Sequence, residues 1–218
     1  MKITKFAQSC IMIETNNTKI LVDPGTLSSE KEIEQMTNVD FVFVTHRHGD
    51  HFSQDLFDKI KKESTIIYST NEVASVFTNT NFKIIKEEDN LELSFGKVEV
   101  VKAVHGYLPH LTAKGAEINE NVGYILEIED KKLYFVSDSI CFKNDYTADA
   151  LFVPICNHGL VMGPFDAGQF AKKINPKLVI PIHNDNPSYT TDLNKVKEEF
   201  NKVELNYKIL EIGQSVDF

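Results

Sequence analysis

The sequence predicts an α/β protein in which helices pack against the outside of a β-sheet. Short, partly alternating strands open the chain, and Asn16-Asn17 between two of them is typical of a hairpin turn. From Phe41 to Ile85, apolar strand patterns alternate with helical patterns, and the same rhythm restarts at Val122. Such alternation favours a layered fold, because helices bury their apolar stripes on a sheet.

The elements of the first half follow from periodicity and turn residues. Strand patterns cover residues 3–6, 10–14, 19–22, 41–44, 65–68, 82–85, 90–95 and 97–104. Helical patterns cover residues 30–36, 53–61 and 72–77, with Ser53 as the N-cap of the second helix and Asn71 ahead of the third. Asp23-Pro24-Gly25 ends the third strand, because proline and glycine interrupt regular structure. We expect the first three strands to form an antiparallel meander.

The second half contains the same kinds of element. Strands are predicted at residues 122–128, 132–136, 150–155 and 178–182, with a hairpin turn at 129–131. Helices are predicted at 166–174 and 189–201, and segments 208–212 and 214–218 close the chain. Because 218 residues with 42% hydrophobic content can bury a sizeable core, we expect one domain made of two halves, about 1–118 and 119–218.

Charge and cysteine content narrow the classes of partner. The formal net charge of −9 argues against nucleic acid, because affinity for a phosphate backbone comes from clustered Lys and Arg. The amino terminus lacks an apolar run long enough for a signal peptide, and no segment has the apolar length of a membrane span. Cys10, Cys141 and Cys156 are odd in number and widely spaced, so we expect a cytoplasmic protein. Its oligomeric state is left open, with a homo-oligomer as one outcome.

The segment Asp40 to His51 indicates a metal site. Residues 41–44 form an apolar run typical of a strand buried on both faces, and His46, His48, Asp50 and His51 follow it directly. Imidazole and carboxylate groups bind zinc and similar divalent ions. Four such groups within six positions would repel one another if they were charged without a cation between them.

Other strand ends carry the same kinds of side chain. His105, Asp138 and His183 each follow a predicted strand, and ligands from several strands converge at the carboxyl edge of a layered sheet. His110 competes with His105 but is expected to be exposed to solvent. Asp23, also at a strand end, either caps a turn or supports a metal ligand through a hydrogen bond.

This set resembles the metallo-β-lactamase superfamily over essentially the whole chain. The His-x-His-x-Asp-His motif at residues 46–51 and the later His, Asp and His carry the resemblance. Residues 19–24, 161–167 and 179–183 resemble a compact branch that includes uncharacterised bacterial metal-dependent hydrolases and L-ascorbate-6-phosphate lactonases. The implied fold is a four-layered αβ/βα sandwich, with two mixed sheets flanked by helices. One departure is Ser137-Asp138-Ser139 in place of the common Gly-Asp-Thr, which changes the turn and keeps the ligand.

The resemblance also implies a dinuclear site, with zinc expected and manganese or iron as alternatives. The implied ligands are His46, His48 and His105 for the first ion, Asp50, His51 and His183 for the second, and Asp138 between them. Asp23 would orient a ligand histidine. We expect hydrolysis by a metal-bound hydroxide, with Asp50 and His183 essential and Asp50 also orienting the hydroxide or moving its proton.

Substrate recognition is expected in the loops. The stretches 107–118 and 158–165 contain Gly or Pro and are suited to form the mouth of a pocket, where Tyr107 and His158 could contact a substrate. Arg47 could attract an anionic group or point into a structural ion pair. Cys141 is expected to be a buried thiol.

Three classes of function are consistent with these residues. The leading one is a hydrolase of a small ester, lactone, amide or phosphoester. A nucleic-acid-processing phosphodiesterase of the same superfamily is weaker, because the chain is acidic and has no large inserted domain. A di-iron redox or oxygen-handling protein is disfavoured by the lack of an attached flavin domain.

Overall fold

The computed structural model describes residues 1–112 and 117–218. The chain forms two compact units, Met1–Lys86 with Leu210–Phe218 and Glu87–Ile209. These bounds differ from the two predicted halves, and the single-domain organisation stays a prediction. The predicted pocket-forming stretch 107–118 lies partly outside the described residues.

The first unit contains a mixed sheet. Its strands are β1 (Lys2–Lys5), β2 (Ile11–Thr15), β3 (Thr18–Val22), β4 (Val39–Phe43), β5 (Lys61–Ser69), β6 (Lys83–Ile84) and β13 (Ser215–Asp217). Their order is β13-β1-β2-β3-β4-β5-β6. Pairing is antiparallel from β13 to β3 and parallel from β3 to β6. The predicted meander is therefore confirmed, and so is its hairpin, because Asn16 and Asn17 take the positive φ angles of 42° and 62° that its tight turn needs.

Helices connect the parallel strands of this unit. They are α1 (Glu30–Gln35), α2 (Gln54–Ile60) and α3 (Asn71–Val76). Ser53 caps α2 as predicted, accepting a hydrogen bond from the Leu56 amide at 3.2 Å. The N-cap of α3 is Thr70, one residue earlier than predicted. The apolar face of α2 packs with β4 in one buried cluster, which places the segment between them beside a rigid core.

The second unit has its own mixed sheet, in the order β12-β11-β10-β9-β8-β7. Its elements are β7 (Asn90–Leu93), β8 (Gly96–Lys102), α4 (Pro109–Thr112), β9 (Val122–Ile128), β10 (Lys131–Phe135), β11 (Ala150–Pro154), α5 (Pro164–Ile174), β12 (Leu178–Ile182) and α6 (Leu193–Lys202). Strands β7 to β10 pair antiparallel, and β10, β11 and β12 pair parallel.

Two helices of this unit differ from the sequence predictions. The short α4 lies in a stretch predicted to be irregular. Helix α6 begins at Leu193 and not at Tyr189, because the Asp192 carboxylate accepts hydrogen bonds from two amides of the first turn, those of Asn194 and Lys195.

The predicted pair of mixed sheets with flanking helices is confirmed within the described residues. Strands β11 and β12 are buried throughout, as expected for parallel strands covered on both faces. In residues 1–112 and 117–218, none of the helices has the length and apolar character that crossing a bilayer requires.

Candidate metal centre

The loop after β4 holds three imidazoles close together. His46 and His51 are fully buried, and their ring centroids lie 4.1 Å apart. The Nε2 atom of His46 lies 3.1 Å from Nδ1 of His48. A buried strand therefore leads directly into a cluster of nitrogen donors, as the sequence predicts.

Asp23 orients this cluster from the end of β3. Its carboxylate accepts hydrogen bonds of 2.8 Å from both the amide and the hydroxyl of Thr45, and one of 2.7 Å from Nδ1 of His51. The hydroxyl oxygen of Thr45 also lies 3.1 Å from Nδ1 of His46. Because the Thr45 hydroxyl donates its proton to Asp23, its oxygen accepts a hydrogen bond from Nδ1–H of His46. The rings of His46 and His51 therefore carry the proton on Nδ1, which leaves the Nε2 lone pair available to bind a metal ion.

Burial and hydrogen bonding act in opposite directions on Asp23. Burial raises the pKa of its carboxyl group above the usual value, and the electrostatic attraction and hydrogen bond of His51 and the hydrogen bonds of Thr45 offset this only in part. Asp23 ends the strand with a φ of 52° and accepts a hydrogen bond from His51, whereas its support of a metal ligand stays a prediction.

Asp50 is oriented by a residue from the first loop of the chain. Gln8, which is fully buried, donates from Nε2 to Oδ2 of Asp50 at 3.1 Å. The same oxygen lies 4.0 Å from Nε2 of His51. The carboxylate is therefore fixed beside His51 and keeps partial access to solvent, with a quarter of its side chain (25%) exposed.

The segment after Asp23 contacts the loop that carries His46, His48, Asp50 and His51. The Thr26 amide donates to the Gly49 carbonyl at 2.8 Å, and the Ser53 amide donates to the Pro24 carbonyl at 2.9 Å. Gly25 lies so close to this loop that a Cβ atom would stand 1.9 Å from the Asp50 carbonyl oxygen. Only glycine allows this approach without a shift of the backbone.

In the second unit, Asp138 lies between two histidines. Its Oδ2 atom is 3.2 Å from Nε2 of His183 and 3.9 Å from Nε2 of His105. Nδ1 of His105 donates to the Gly106 carbonyl at 2.8 Å, so Nε2 carries the lone pair in the neutral ring. Each of the three side chains follows a strand, β8, β10 or β12.

Unusual backbone angles orient two of these candidate ligands. Ser137 has a φ of 66° and His183 a φ of 59°, in the left-handed region that costs side-chain-bearing residues energy. The Ser137 hydroxyl donates to Oδ1 of Asn121, and the Asn121 amide donates to the Asp138 carbonyl, both at 2.7 Å. These bonds stabilise serine at a position where the resemblance showed glycine to be common.

A further group, Cys156, His158 and His183, lies beside this cluster. One donor atom from each lies within 4.8 Å of the others, and Cys156 is buried. Burial would raise the pKa of the Cys156 thiol, but hydrogen bonds from His158 and His183 outweigh it and lower the pKa to about 6.

A family model described as the beta-lactamase superfamily domain matches residues 2–183. The chain belongs to this superfamily. The UPF0173 metal-dependent hydrolase of Listeria monocytogenes serotype 4a is 32% identical over 241 residues, which cover both chains in full. The chain is thus also a member of the UPF0173 metal-dependent hydrolases. The predicted resemblance to this superfamily and its uncharacterised bacterial metal-dependent hydrolases is confirmed, and with it the predicted class of enzyme.

Solved structures confirm the predicted metallo-β-lactamase fold. Igni18, a metallo hydrolase from the archaeon Ignicoccus hospitalis, gives a TM-score of 0.79 at 21% identity, over 99% of this chain and 97% of that one. CmlA, a di-iron β-hydroxylase from Streptomyces venezuelae, gives 0.78 at 12% identity, over 100% of this chain and 54% of that one. At these identities the similarities establish the fold alone.

The side chains within each unit fit the metal that the name of the metal-dependent hydrolases implies. Two nitrogens bound to zinc at about 2.0–2.1 Å with tetrahedral angles lie roughly 3.3 Å apart. His46 and His48 show a comparable separation of 3.1 Å, and Asp138 and His183 one of 3.2 Å. Rings held as neutral Nδ1–H tautomers by Thr45, Asp23 and the Gly106 carbonyl are suited to bind a cation.

The remaining predicted residues lie as follows. Arg47 donates from Nε to Glu72 at 3.0 Å, which corresponds to the ion pair that the sequence left as an alternative. Tyr107 is exposed and His110 is exposed as predicted. The expectation for Cys141 is wrong: this cysteine is exposed, whereas Cys156 is buried.

Sequence analysis missed Gln8, Asn121 and Cys156. Gln8 and Asn121 lie in loops and act through hydrogen bonds to residues distant in the sequence, so no local pattern marks them. Cys156 could have been found, because it follows the apolar strand β11 just as the other candidates follow theirs.

Proposed function

We propose that this protein hydrolyses a small ester, lactone, amide or phosphoester with two divalent metal ions. His46, His48 and His105 are assigned to the first ion, Asp50, His51 and His183 to the second, and Asp138 to both. One observation carries the proposal: within each unit, buried histidines of this set are held with Nε2 as the lone-pair nitrogen by the outer partners Asp23 and the Gly106 carbonyl.

The ions would supply a hydroxide at neutral pH and polarise the carbonyl or phosphoryl oxygen that is attacked. The protein's own groups do the rest. Asp50, held by Gln8, orients the attacking water or accepts its proton, because one carboxylate oxygen is fixed and the side chain is still partly exposed. His183, whose Nε2 lies 3.2 Å from Oδ2 of Asp138, is assigned an essential role as a ligand of the second ion.

The donor set favours zinc, because imidazole nitrogens outnumber carboxylates, and manganese or iron remain alternatives. The substrate is proposed to be a small molecule, with Tyr107 and His158 as contacts. For Arg47 the Glu72 ion pair supports the structural role over a substrate contact. We also propose a cytoplasmic protein, on the number and spacing of its cysteines, with neither nucleic acid nor membrane as partner.

Metal quantification on the purified protein, followed by an activity screen, tests the proposal. Lactone, thioester and phosphodiester substrates are to be assayed with the metal found. Asp50→Ala and His183→Ala should each abolish turnover, because each removes a ligand of the second ion. His110→Ala is the matched control, since it removes an exposed histidine and should leave activity unchanged. Full turnover in either ligand variant would contradict the assignment.

Assays on the same purified protein also test the two alternative classes of function. Cleavage of single-stranded RNA or DNA as the best substrate would favour a phosphodiesterase of nucleic acids. Two bound irons with consumption of oxygen would favour a redox protein, the class to which CmlA belongs by its name. Zinc or manganese without oxygen consumption would exclude the latter.

A further inference from the structure

The proposed mechanism uses His183 but gives no role to its neighbour Cys156, and it assigns His158 only as a substrate contact. These three side chains come from two adjacent parallel strands, since Cys156 and His158 follow β11 and His183 follows β12. The Ile155 amide donates to the Ile182 carbonyl at 2.9 Å, which fixes the two strand ends against each other. The sulfur therefore lies beside a proposed metal ligand because of sheet register.

The hydrogen bond that His158 accepts on one ring nitrogen makes the other ring nitrogen a donor and not a metal ligand. Its Nδ1 atom accepts the Leu160 amide at 3.1 Å, so the neutral ring carries its proton on Nε2. A ring in this state has no second lone pair to offer a cation. His158 can instead donate to the Cys156 sulfur, which lies within 4.8 Å of a donor atom of each histidine.

The sulfur lies close to both rings, with one nitrogen of each within 4.8 Å of it. In the thiol form, its S–H group donates to the Tyr189 carbonyl, 3.7 Å from the sulfur. The lone pairs thus remain for the imidazoles, and the ring of His158 packs edge-on against those of both His183 and Tyr189. Cys156 is buried, so water does not replace these contacts.

A comparable arrangement stands in the first unit, where the Asp23 carboxylate holds the ring of His51 at 2.7 Å. Histidines that bind metals almost always have such an outer partner, which fixes the orientation and tautomer of the ring. We propose that Cys156 is a positioning residue for His183, and that its sulfur, held by His158, keeps the His183 ring oriented for the metal. This inference rests on the proposed role of His183 as a metal ligand.

The affinity for the weaker of two zinc ions, measured by competition with a chromophoric chelator, tests this role. Cys156→Ala should lower that affinity by about 10–100-fold, the usual effect of removing an outer partner of a ligand. Cys156→Ser keeps an acceptor and should restore most of it. Cys10→Ala is the matched control, because Cys10 is an equally buried thiol in the core of the first unit and should not change it.

His158 provides a second, independent variant. His158→Leu should lower the same affinity by a smaller factor, because it acts through Cys156. The double variant should then be no weaker than Cys156→Ala alone, since two residues in one chain of contacts are not additive. Thermal melting of the metal-free variants identifies any that fail to fold.

Three results would overturn the inference. One is equal zinc affinity of Cys156→Ala and Cys10→Ala in a protein that binds two ions. Another is full additivity of the Cys156 and His158 effects. The third is a sulfur-to-cobalt charge-transfer band in the cobalt-loaded wild type that is absent from Cys156→Ser, which would make the sulfur a direct ligand. Failure of the wild type to bind two ions would instead contradict the proposed function itself.

Discussion

The two units hold their metal-type side chains in different ways. In the first, His46, His48, Asp50 and His51 belong to one short loop, and side chains from elsewhere, Asp23 and Gln8, hold them. In the second, each ligand follows a different strand, so sheet register determines where it lies. Left-handed backbone at Ser137 and His183 turns two of these strand ends sharply.

This difference indicates which substitutions should disturb the candidate ligands of each unit. Four candidate ligands in one loop depend on the residues that pack against that loop. One substitution among those residues should therefore affect all four. Dispersed ligands depend on separate turns, and a change at one turn affects one ligand. The predictions below test this contrast, beginning with the largest expected effect.

Gly25→Ala should disrupt the loop of the first unit as a whole. The new Cβ would stand 1.9 Å from the Asp50 carbonyl oxygen, so the backbone of the loop must move. We expect a loss of about 1–3 kcal/mol in the free energy of unfolding, together with loss of metal from the purified protein. Urea unfolding and metal analysis measure these effects.

Gly163→Ala in the second unit is the matched control for that substitution. A Cβ at Gly163 meets nothing within 4 Å, so only the lower preference of an N-cap for alanine, about 0.5–1 kcal/mol, is expected to reduce stability, without loss of metal. Equal behaviour of the two variants would show that the contact between Gly25 and the loop has no importance.

Asp23→Asn should weaken metal binding more than it weakens the fold. An amide is nearly isosteric but cannot accept hydrogen bonds on both positions, so the bonds from Thr45 and His51 can no longer all form. Metal affinity is expected to fall about 10–100-fold, as measured by chelator competition. Unchanged affinity would mean that the loop orients His51 without this carboxylate.

Substitutions at Ser137 should separate backbone strain from hydrogen bonding at one strand end. Ser137→Ala loses the bond to Asn121 and should cost about 0.5–1.5 kcal/mol. Ser137→Gly loses the same bond but removes the strain of a positive φ, so it should be about 1 kcal/mol more stable than Ser137→Ala. Denaturant unfolding of the metal-free proteins gives both values, and the reverse order would contradict a strained turn.

The contrast between contiguous candidate ligands in the first unit and dispersed ones in the second explains what could be predicted from sequence. The loop of the first unit was identified because its ligands are contiguous and follow an apolar strand, and strands such as β4 and β11 are clear from composition alone. Single residues at strand ends, such as His105 and His183, were predicted as ligands from their position after a strand, and these assignments stay predictions.

Long-range contacts were not predictable in this way. Gln8 is 42 residues from the carboxylate it orients, and such a bond has no local pattern. The start of α6 was misplaced because Asp192, inside the predicted helix, competes as an N-cap and sets the boundary. Burial of a particular cysteine also depends on packing, and Cys141 is exposed although it was expected to be buried.

The pairing of β13 with β1 bears on the order in which the protein can fold during synthesis. Strand β1 is made first, but its partner, residues 215–217, leaves the ribosome only after the whole of Glu87–Ile209. Until then β1 is an edge strand with unpaired backbone groups, a template for association with other chains. Nascent chains of this protein should therefore be most prone to aggregate in the interval between completion of β6 and synthesis of β13.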